Sequence, residues 1–171
     1  MIRDATSADA AACAALYAPY VTDTVISFET EPPDAGEMAR RIAAAHAWVV
    51  LEDSGSIAGY AYATRFAERA AYRWSCETSI YLELGRRRTG VGRALYEALF
   101  ERLRERGFCR AFAGMTLPND ASAGLHRALG FEPAGVYRRV GWKHGAWRDV
   151  AWTQKDLSAT EGCTSAPREL A

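Results

Sequence analysis

The run Arg86-Arg87-Arg88-Thr89-Gly90-Val91-Gly92-Arg93 joins a strand-like segment, Thr78 to Leu84, to a strongly helical one, Val91 to Arg106. The first N–H groups of a helix lack internal partners, the helix dipole places partial positive charge there, and glycines let an anion approach without meeting a Cβ. Arginines beside such a turn add charge-assisted donors of fixed geometry. The combination suits a diphosphate. Two common phosphate loops are excluded by spacing: a dinucleotide fingerprint needs a third glycine where Leu95 stands, and a Walker loop needs a Gly-Lys-Ser/Thr step that is absent. What remains is Arg87-x-x-Gly90-x-Gly92, with Arg88, Thr89, Val91 and Arg93 around it. Taken alone it also fits a solvated surface turn; the strand before it and the helix after it favour the cradle.

Two side chains stand where they could move protons. Glu77 lies mid-strand in Trp74-Ser75-Cys76-Glu77-Thr78-Ser79-Ile80-Tyr81-Leu82, about ten residues before the turn, which at ~3.3 Å per residue is on the order of 30 Å of extended chain. By strand alternation Glu77, Ser79, Tyr81 and Glu83 share one face, polar enough to line a cleft, and Thr78, Ile80, Leu82 and Leu84 share the other. A carboxylate there can serve as a general base, or can simply face solvent. His126, in Leu125-His126-Arg127-Ala128-Leu129-Gly130-Phe131, can donate a proton near neutral pH or can be a hydrogen-bonded structural histidine. Asn119, upstream of it, is suited to cap a helix and can also meet a ligand.

These residues must be carried by one domain, because 171 residues bury one good core and are short for two. Lys+Arg and Asp+Glu balance at 21 each, so there is no general basic field to gather nucleic acid or an anionic membrane. With 49% hydrophobic residues the chain is globular, and no apolar run approaches the ~20 residues of a membrane span. Met1-Ile2-Arg3-Asp4 lacks the apolar core of a signal peptide, so a cytoplasmic protein is expected. Cys13, Cys76, Cys109 and Cys163 show no metal-binding spacing and are expected to be reduced thiols, with no metal site.

The elements follow from periodicity and punctuation. Ile2 to Thr6 reads as a strand, and Ser7 as the cap of a helix to about Tyr20. Val25 to Pro33 is extended or looped, and Asp34 caps a helix through His46. Trp48 to Glu52 and Ile57 to Arg65 form a hairpin about Asp53-Ser54-Gly55-Ser56. A strand from Trp74 to Leu84 precedes the turn, Gly107 stops the helix after it, and Phe112 to Leu117 is the next strand. Asn119 caps a helix from Ala121 to Leu129. Phe131 to Val140 and Trp147 to Asp156 form a last hairpin around Gly141 to Gly145. Residues 158–171 read as a tail after a domain of residues 1–157, because their Ser, Thr, Gly and Pro content leaves little to bury.

The Arg87-x-x-Gly90-x-Gly92 turn and the order β-α-α-β-β-β-α-β-α-β-β both resemble the GNAT N-acetyltransferase superfamily. Phe28-Glu29-Thr30-Glu31-Pro32, Arg69-x-x-Tyr72, Glu77-Thr78-Ser79-Ile80-Tyr81, Leu125 to Phe131, and Lys143-His144-Gly145-x-Trp147-x-Asp149-Val150 together resemble its phosphinothricin and methionine sulfoximine acetyltransferases. The resemblance implies an α/β (α+β) acyl-CoA N-acyltransferase fold, with a mixed, mostly antiparallel sheet whose central strands splay to admit the pantetheine arm of acetyl-CoA. It implies cofactor contacts from Ile80, Tyr81, Leu82, Arg87, Arg88, Thr89, Gly90, Val91, Gly92, Arg93 and Asn119. It further implies Glu77 as base and His126, standing where a tyrosine is common, as candidate acid. Phe28, Thr30, Arg69 and Tyr72 would bind the acceptor, the small amine of a glutamate-like amino acid. A homodimer is implied, with Trp142, Trp147 and Trp152 suited to its interface. Lys143, His144 and Trp147 could close the acceptor pocket, form that subunit contact or stabilise a turn. Other readings within the fold are a protein N-terminal or lysine acetyltransferase and a non-catalytic acyl-CoA-binding module. The chain departs from the herbicide-resistance enzymes at Ala67, where they carry a lysine.

Overall fold

The computed structural model describes residues 1–86, 90–158 and Pro167. Arg87, Arg88 and Thr89 of the basic turn and most of the expected tail, Cys163 included, lie outside the described residues. The elements are β1 (Ile2–Asp4), α1 (Ala10–Thr22), α2 (Ala35–Ala44), β2 (Ala47–Asp53), β3 (Ser56–Arg65), β4 (Ser75–Leu82), α3 (Val91–Glu105), β5 (Arg110–Thr116), α4 (Asp120–Ala128), β6 (Glu132–Lys143) and β7 (Ala146–Asp156). The strands form one sheet in the order β1-β2-β3-β4-β5-β7-β6. Every neighbouring pair is antiparallel except β4 and β5, which are parallel. No described helix is long and apolar enough to cross a membrane.

Helices cover both faces. On α3, Leu95, Leu99 and Leu103 recur every fourth residue, are fully buried, and pack with Tyr96 and Phe100 against Ala61, Ala63, Ala111 and Ala113 of the sheet. Each such leucine contributes about 1.5–3 kcal/mol by leaving water. The helix ends where Gly107 takes φ +91° and the N–H groups of Gly107 and Phe108 donate to the carbonyls of Arg104 and Leu103. On the opposite face α1 and α2 bury Cys13, Tyr17, Val21 and Met38 against Trp48, Val50 and Tyr60.

Several boundaries differ from the sequence reading for local reasons. Thr6, not Ser7, starts the first helical segment, because Asp9 reaches back to accept from the Thr6 N–H at 2.8 Å and stabilises a 3₁₀ turn, Ser7–Asp9, ahead of α1. Helix α1 runs past Tyr20 to Thr22 with Pro19 inside it. Helix α2 stops at Ala44: Ala45 is extended, and the His46 N–H joins the sheet by donating to Ala63. Strand β6 continues through Gly141 and Trp142 to Lys143, so the last turn is only His144-Gly145, both at positive φ. The expectation of reduced thiols holds at Cys13 and Cys76, which are free and buried, and fails at Cys109, which is disulfide-bonded. No local spacing marks Cys109 in the sequence.

Asp9 also fixes the N-terminus to the core. Its two oxygens accept from the Arg3 guanidinium at 2.8 and 2.7 Å. The Arg3 hydrogen bond is the main reason its carboxyl sits at about 2, below the ordinary 3.8. A carboxyl whose pKa is depressed by folding stabilises the fold above its unfolded pKa, and this stability is lost as pH falls from about 4 toward 2. Asp9→Asn should therefore cost on the order of 1–2 kcal/mol at pH 7 after allowance for solvent at the partly exposed Arg3, as read by urea unfolding. The gap between variant and wild type should close at pH 2; an equal gap at both pH values would contradict the assignment.

Candidate active site

The parallel β4–β5 ladder is short, pairing Ser75 with Arg110, Cys76 with Ala111 and Glu77 with Phe112, after which the strands part. Beyond Glu77 the β5-facing edge of β4 therefore carries backbone groups with no strand partner. Which groups these are follows from alternation. The Glu83 N–H donates to Ala58 of β3 at 3.0 Å, so the N–H and C=O groups of Ile80 and Leu82 point the other way, into the gap. The Leu82 carbonyl accepts there from the Tyr20 hydroxyl at 2.6 Å. An extended chain carrying amides could pair with this edge.

At the far end of the gap is the N-terminus of α3. Gly90 is its N-cap with φ +76°, and a Cβ at Gly90 would meet no other atom within 4 Å among the described residues. Gly92 is glycine for a different reason: a Cβ there would lie 3.1 Å from Leu125, where α4 crosses α3. Val91 opens the helix and packs against the core. Arg93 is directed along α3, donating to the Ala128 carbonyl at 2.8 Å and pairing with Glu97 at 3.4 Å. Asn119 caps α4 by accepting from the Ser122 N–H at 3.1 Å.

Glu77 is half-buried at the last rung of the ladder, and its carboxylate makes no hydrogen bond or ion pair among the described residues. Burial raises its pKa above the ordinary carboxylate value. Phe112, its register partner on the same face, stacks on Phe66 at 4.3 Å, and Tyr72 meets the edge of Phe66 at 5.6 Å. A free, desolvated carboxylate thus stands beside an aromatic wall at the point where two strands separate. Phe66 and Phe112 were not evident in the sequence, because only the β4–β5 register brings Phe112 opposite Glu77.

The connection between α1 and α2 packs on β6. Phe28 covers Gly141 of β6, where a Cβ would lie 2.3 Å from its ring. The loop is held by Tyr17, whose hydroxyl is 2.6 Å from Ser27 Oγ and donates to Glu29 at 3.0 Å, and by Arg41, which grips Glu29 bidentately at 2.7 and 3.0 Å. Thr30 is exposed on the same loop.

A family model described as an acetyltransferase (GNAT) domain matches residues 2–152. The chain belongs to the GNAT acetyltransferases. Its relatives include the phosphinothricin N-acetyltransferase of Streptomyces viridochromogenes, 38% identical over 159 residues, covering 91% of this chain and 87% of that one. The L-methionine sulfoximine/L-methionine sulfone acetyltransferase of Pseudomonas paraeruginosa is 34% identical, covering 97% of this chain and 98% of that one. Among solved structures, a GNAT superfamily phosphinothricin acetyltransferase from Sinorhizobium meliloti in complex with AcCoA superposes with a TM-score of 0.89 at 38% identity, covering 99% of this chain and 93% of that one.

This GNAT acetyltransferase is an enzyme whose co-substrate is acetyl-CoA, and its own geometry fits that molecule: the β4 edge at Ile80 and Leu82, which no strand pairs, matches an amide-bearing arm, and Gly90 presents no Cβ at the N-terminus of α3, where a diphosphate is favoured. Among the described residues there is no group of His, Cys, Asp and Glu side chains able to hold a metal. Two site expectations meet difficulty. Tyr81 does not reach the gap, because its backbone pairs toward β3 and its ring packs against Tyr17 and Tyr20 at 4.7 and 5.0 Å. His126 is buried, its Nδ1 donating to the Ser122 carbonyl at 2.8 Å and its Nε2 accepting from the Tyr96 hydroxyl at 2.9 Å. Burial lowers its pKa. A neutral imidazole with both nitrogens engaged has no proton aimed at the gap, which is the structural-histidine arrangement.

Arg69 and Tyr72 diverge as well. Tyr72 turns to the aromatic wall, whereas the exposed Arg69 borders a cavity with Arg65 and Arg73. In the last hairpin, Trp142 and Trp147 are exposed and meet edge-on at 5.3 Å, while Trp152 lies over Gly114 of β5. Lys143 is buried, and its ammonium donates to the Val21 and Ser27 carbonyls, each at 2.6 Å. It therefore ties the hairpin to the α1–α2 loop. Lys143→Met should cost about 1–3 kcal/mol by thermal unfolding and raise the KM of the acceptor, with the acetyl-CoA KM unchanged. Parallel changes in both KM values would show that the loop does not belong to the acceptor side.

Proposed function

We propose that this acetyltransferase acetylates the α-amino group of a small glutamate-like amino acid, of the phosphinothricin or methionine sulfoximine type, by direct transfer within a ternary complex. The observation that carries the reading is Glu77: an unpaired carboxylate of raised pKa at the last rung of the β4–β5 ladder. Acetyl-CoA supplies an acyl group already activated as a thioester. Ile80 and Leu82 bind its arm through their backbone; Arg87, Arg88, Thr89, Gly90, Val91 and Gly92 form the diphosphate turn, and Asn119 meets the arm from α4. Glu77 takes the proton of the acceptor's ammonium, directly or through one water. Phe28, Thr30 and Tyr72 shape the acceptor pocket and exclude water, and Arg69, on the same 3₁₀ turn as Tyr72, meets the acceptor's acidic group bidentately.

A covalent acyl-enzyme on a described cysteine is disfavoured, since burial pushes both the Cys13 and the Cys76 thiols up to about 12. We further propose that residues 1–157 form the catalytic domain, that the protein works in the cytoplasm, and that it is a homodimer. The exposed Val136, Tyr137, Val140, Trp142 and Trp147 on the outer hairpin support that last point.

The test is CoA-thiol release from acetyl-CoA with phosphinothricin, methionine sulfoximine, methionine sulfone, the ordinary amino acids and an unrelated peptide bearing a free N-terminus. Turnover on a glutamate-like acceptor at least about tenfold above that on the peptide is expected. Turnover on the peptide alone would replace this reading with protein acetylation.

A further inference from the structure

His126 aims no proton at the gap, but it fixes a group that can. A backbone carbonyl only accepts, so the 2.8 Å contact with the Ser122 carbonyl puts the imidazole hydrogen on Nδ1 and leaves Nε2 to accept from Tyr96. The same Nδ1 lies 3.2 Å from Ser122 Oγ, so its hydrogen is shared between the carbonyl and hydroxyl oxygens of one serine. Ser122 Oγ is thereby an acceptor from the imidazole and keeps its own hydrogen to donate. That hydroxyl has no other partner among the described residues, and the side chain is half-buried. The backbone of Ser122 is held as well, its N–H donating to the Asn119 cap at 3.1 Å.

Tyr96 anchors this group at the splay of the strands. Its buried hydroxyl also meets Thr78, the first residue of β4 past the last β5 rung, on the face of the sheet opposite the Glu77 side chain. Leu125, next to His126 on α4, and Ile80 of β4 both come within 4 Å of a Cβ built at Gly92. The first two turns of α4 therefore flank the gap between Thr78 and the N-terminus of α3.

We propose that the Ser122 hydroxyl donates a hydrogen bond to the sulfur of acetyl-CoA as the thioester is cleaved, with His126 as the positioning residue that orients it. This role depends on the arm lying along the β4 edge and not on which amine is the acceptor. With the arm at Ile80 and Leu82 and the diphosphate at the α3 end, the thioester falls toward Thr78 and Glu77, between Ser122 on α4 and the Glu77 carboxylate. In the transfer, a bond forms from the amine nitrogen to the acetyl carbon, and the C–S bond breaks with its electron pair passing to sulfur. Glu77 takes one ammonium proton before attack. A second nitrogen proton passes to solvent as the C–S bond breaks, and the thiolate takes one from solvent on release, so Ser122 ends the cycle with its own proton. A neutral donor is suited to this, because a hydrogen bond strengthens as its acceptor gains charge and sulfur gains charge only in the reaction.

Two measurements on the full chain test the role, one of them independent of turnover. Calorimetric titration compares CoA with desulfo-CoA, which lacks the sulfur, at pH 7 and at about pH 9.5, either side of the ordinary thiol pKa of about 8.5. In the wild type the ratio of CoA to desulfo-CoA affinity should rise about fivefold with pH, because a donor favours the bound thiolate. The rise should vanish in Ser122→Ala and persist in Glu77→Gln, which keeps this outcome separate from the base assignment. In single turnover with the best acceptor, Ser122→Ala should slow acetyl transfer about tenfold with its melting temperature and its CoA affinity at pH 7 unchanged, and Ser122→Thr should recover most of the rate. No rise in the wild type, a rise that survives in Ser122→Ala, or an undiminished rate in that variant would each overturn the proposal. A slower rate that comes with a lower melting temperature and is not recovered in Ser122→Thr would overturn it too, by making Ser122 structural.

Discussion

Glu77→Gln should lower kcat about 10²- to 10³-fold at pH 7 and leave the KM for acetyl-CoA within about twofold. The substitution keeps the size and half-buried position of the side chain, and it breaks no hydrogen bond or ion pair formed among the described residues. What it removes is the ability to accept a proton beside the splay of β4 and β5. The acceptor's α-ammonium, with an ordinary pKa near 8, is mostly protonated at pH 7, so each turnover needs that proton taken. Burial already raises the Glu77 pKa, which brings the base closer to the operating pH and strengthens it. A purely structural role would instead show as a lower melting temperature with kcat little changed. Steady-state kinetics together with a thermal melt separate the two outcomes.

Gly90→Val is expected to raise the KM for acetyl-CoA by about 10- to 100-fold with a much smaller effect on kcat, because the loss falls on binding. Two physical effects coincide. Gly90 holds φ +76° as the N-cap of α3, a conformation a β-branched residue adopts only with strain of roughly 1–3 kcal/mol. A Cβ at Gly90 meets no atom within 4 Å among the described residues, so the added side chain stays out of the core and stands at the helix N-terminus. Strain alone would lower stability and spare the KM. A binding titration with CoA, run beside unfolding of the variant, apportions the change; an unaltered CoA affinity would remove the turn from the cofactor site.

The layered order of strands and helices was legible in the sequence because its signals are local. Asp34 accepts from the Glu37 N–H at 2.7 Å as a cap should, Gly107 and Gly130 adopt positive φ at helix ends, and Ser54-Gly55 turns the β2–β3 hairpin. The place of Glu77 on β4 was legible too, since its distance along the strand from a glycine turn needs only strand geometry. What was not legible depends on contacts between distant segments. His126 looks like an acid in sequence, and only the packing of α4 on α3 brings Tyr96 to its Nε2 and occupies it. Tyr81 shares alternation with Glu77, yet tyrosines from α1 and β3 cover its ring. Lys143 reads in sequence as a residue of the acceptor pocket, a subunit contact or a turn, and its ammonium is buried against carbonyls more than a hundred positions earlier, at Val21 of α1 and Ser27 of the α1–α2 loop. Phe66 and Phe112 carry no motif at all.

The pH dependence of kcat/KM for the acceptor, measured for the wild type and for Glu77→Gln over the same range, tests most directly whether Glu77 is the base. In the wild type the acidic limb should titrate above the ordinary carboxylate range, in the direction that burial shifts Glu77, with activity rising as the carboxyl ionises. In Glu77→Gln that limb should vanish, leaving a low rate that follows only the acceptor's own deprotonation. The same limb at the same pH in both proteins would place the base elsewhere and contradict the account.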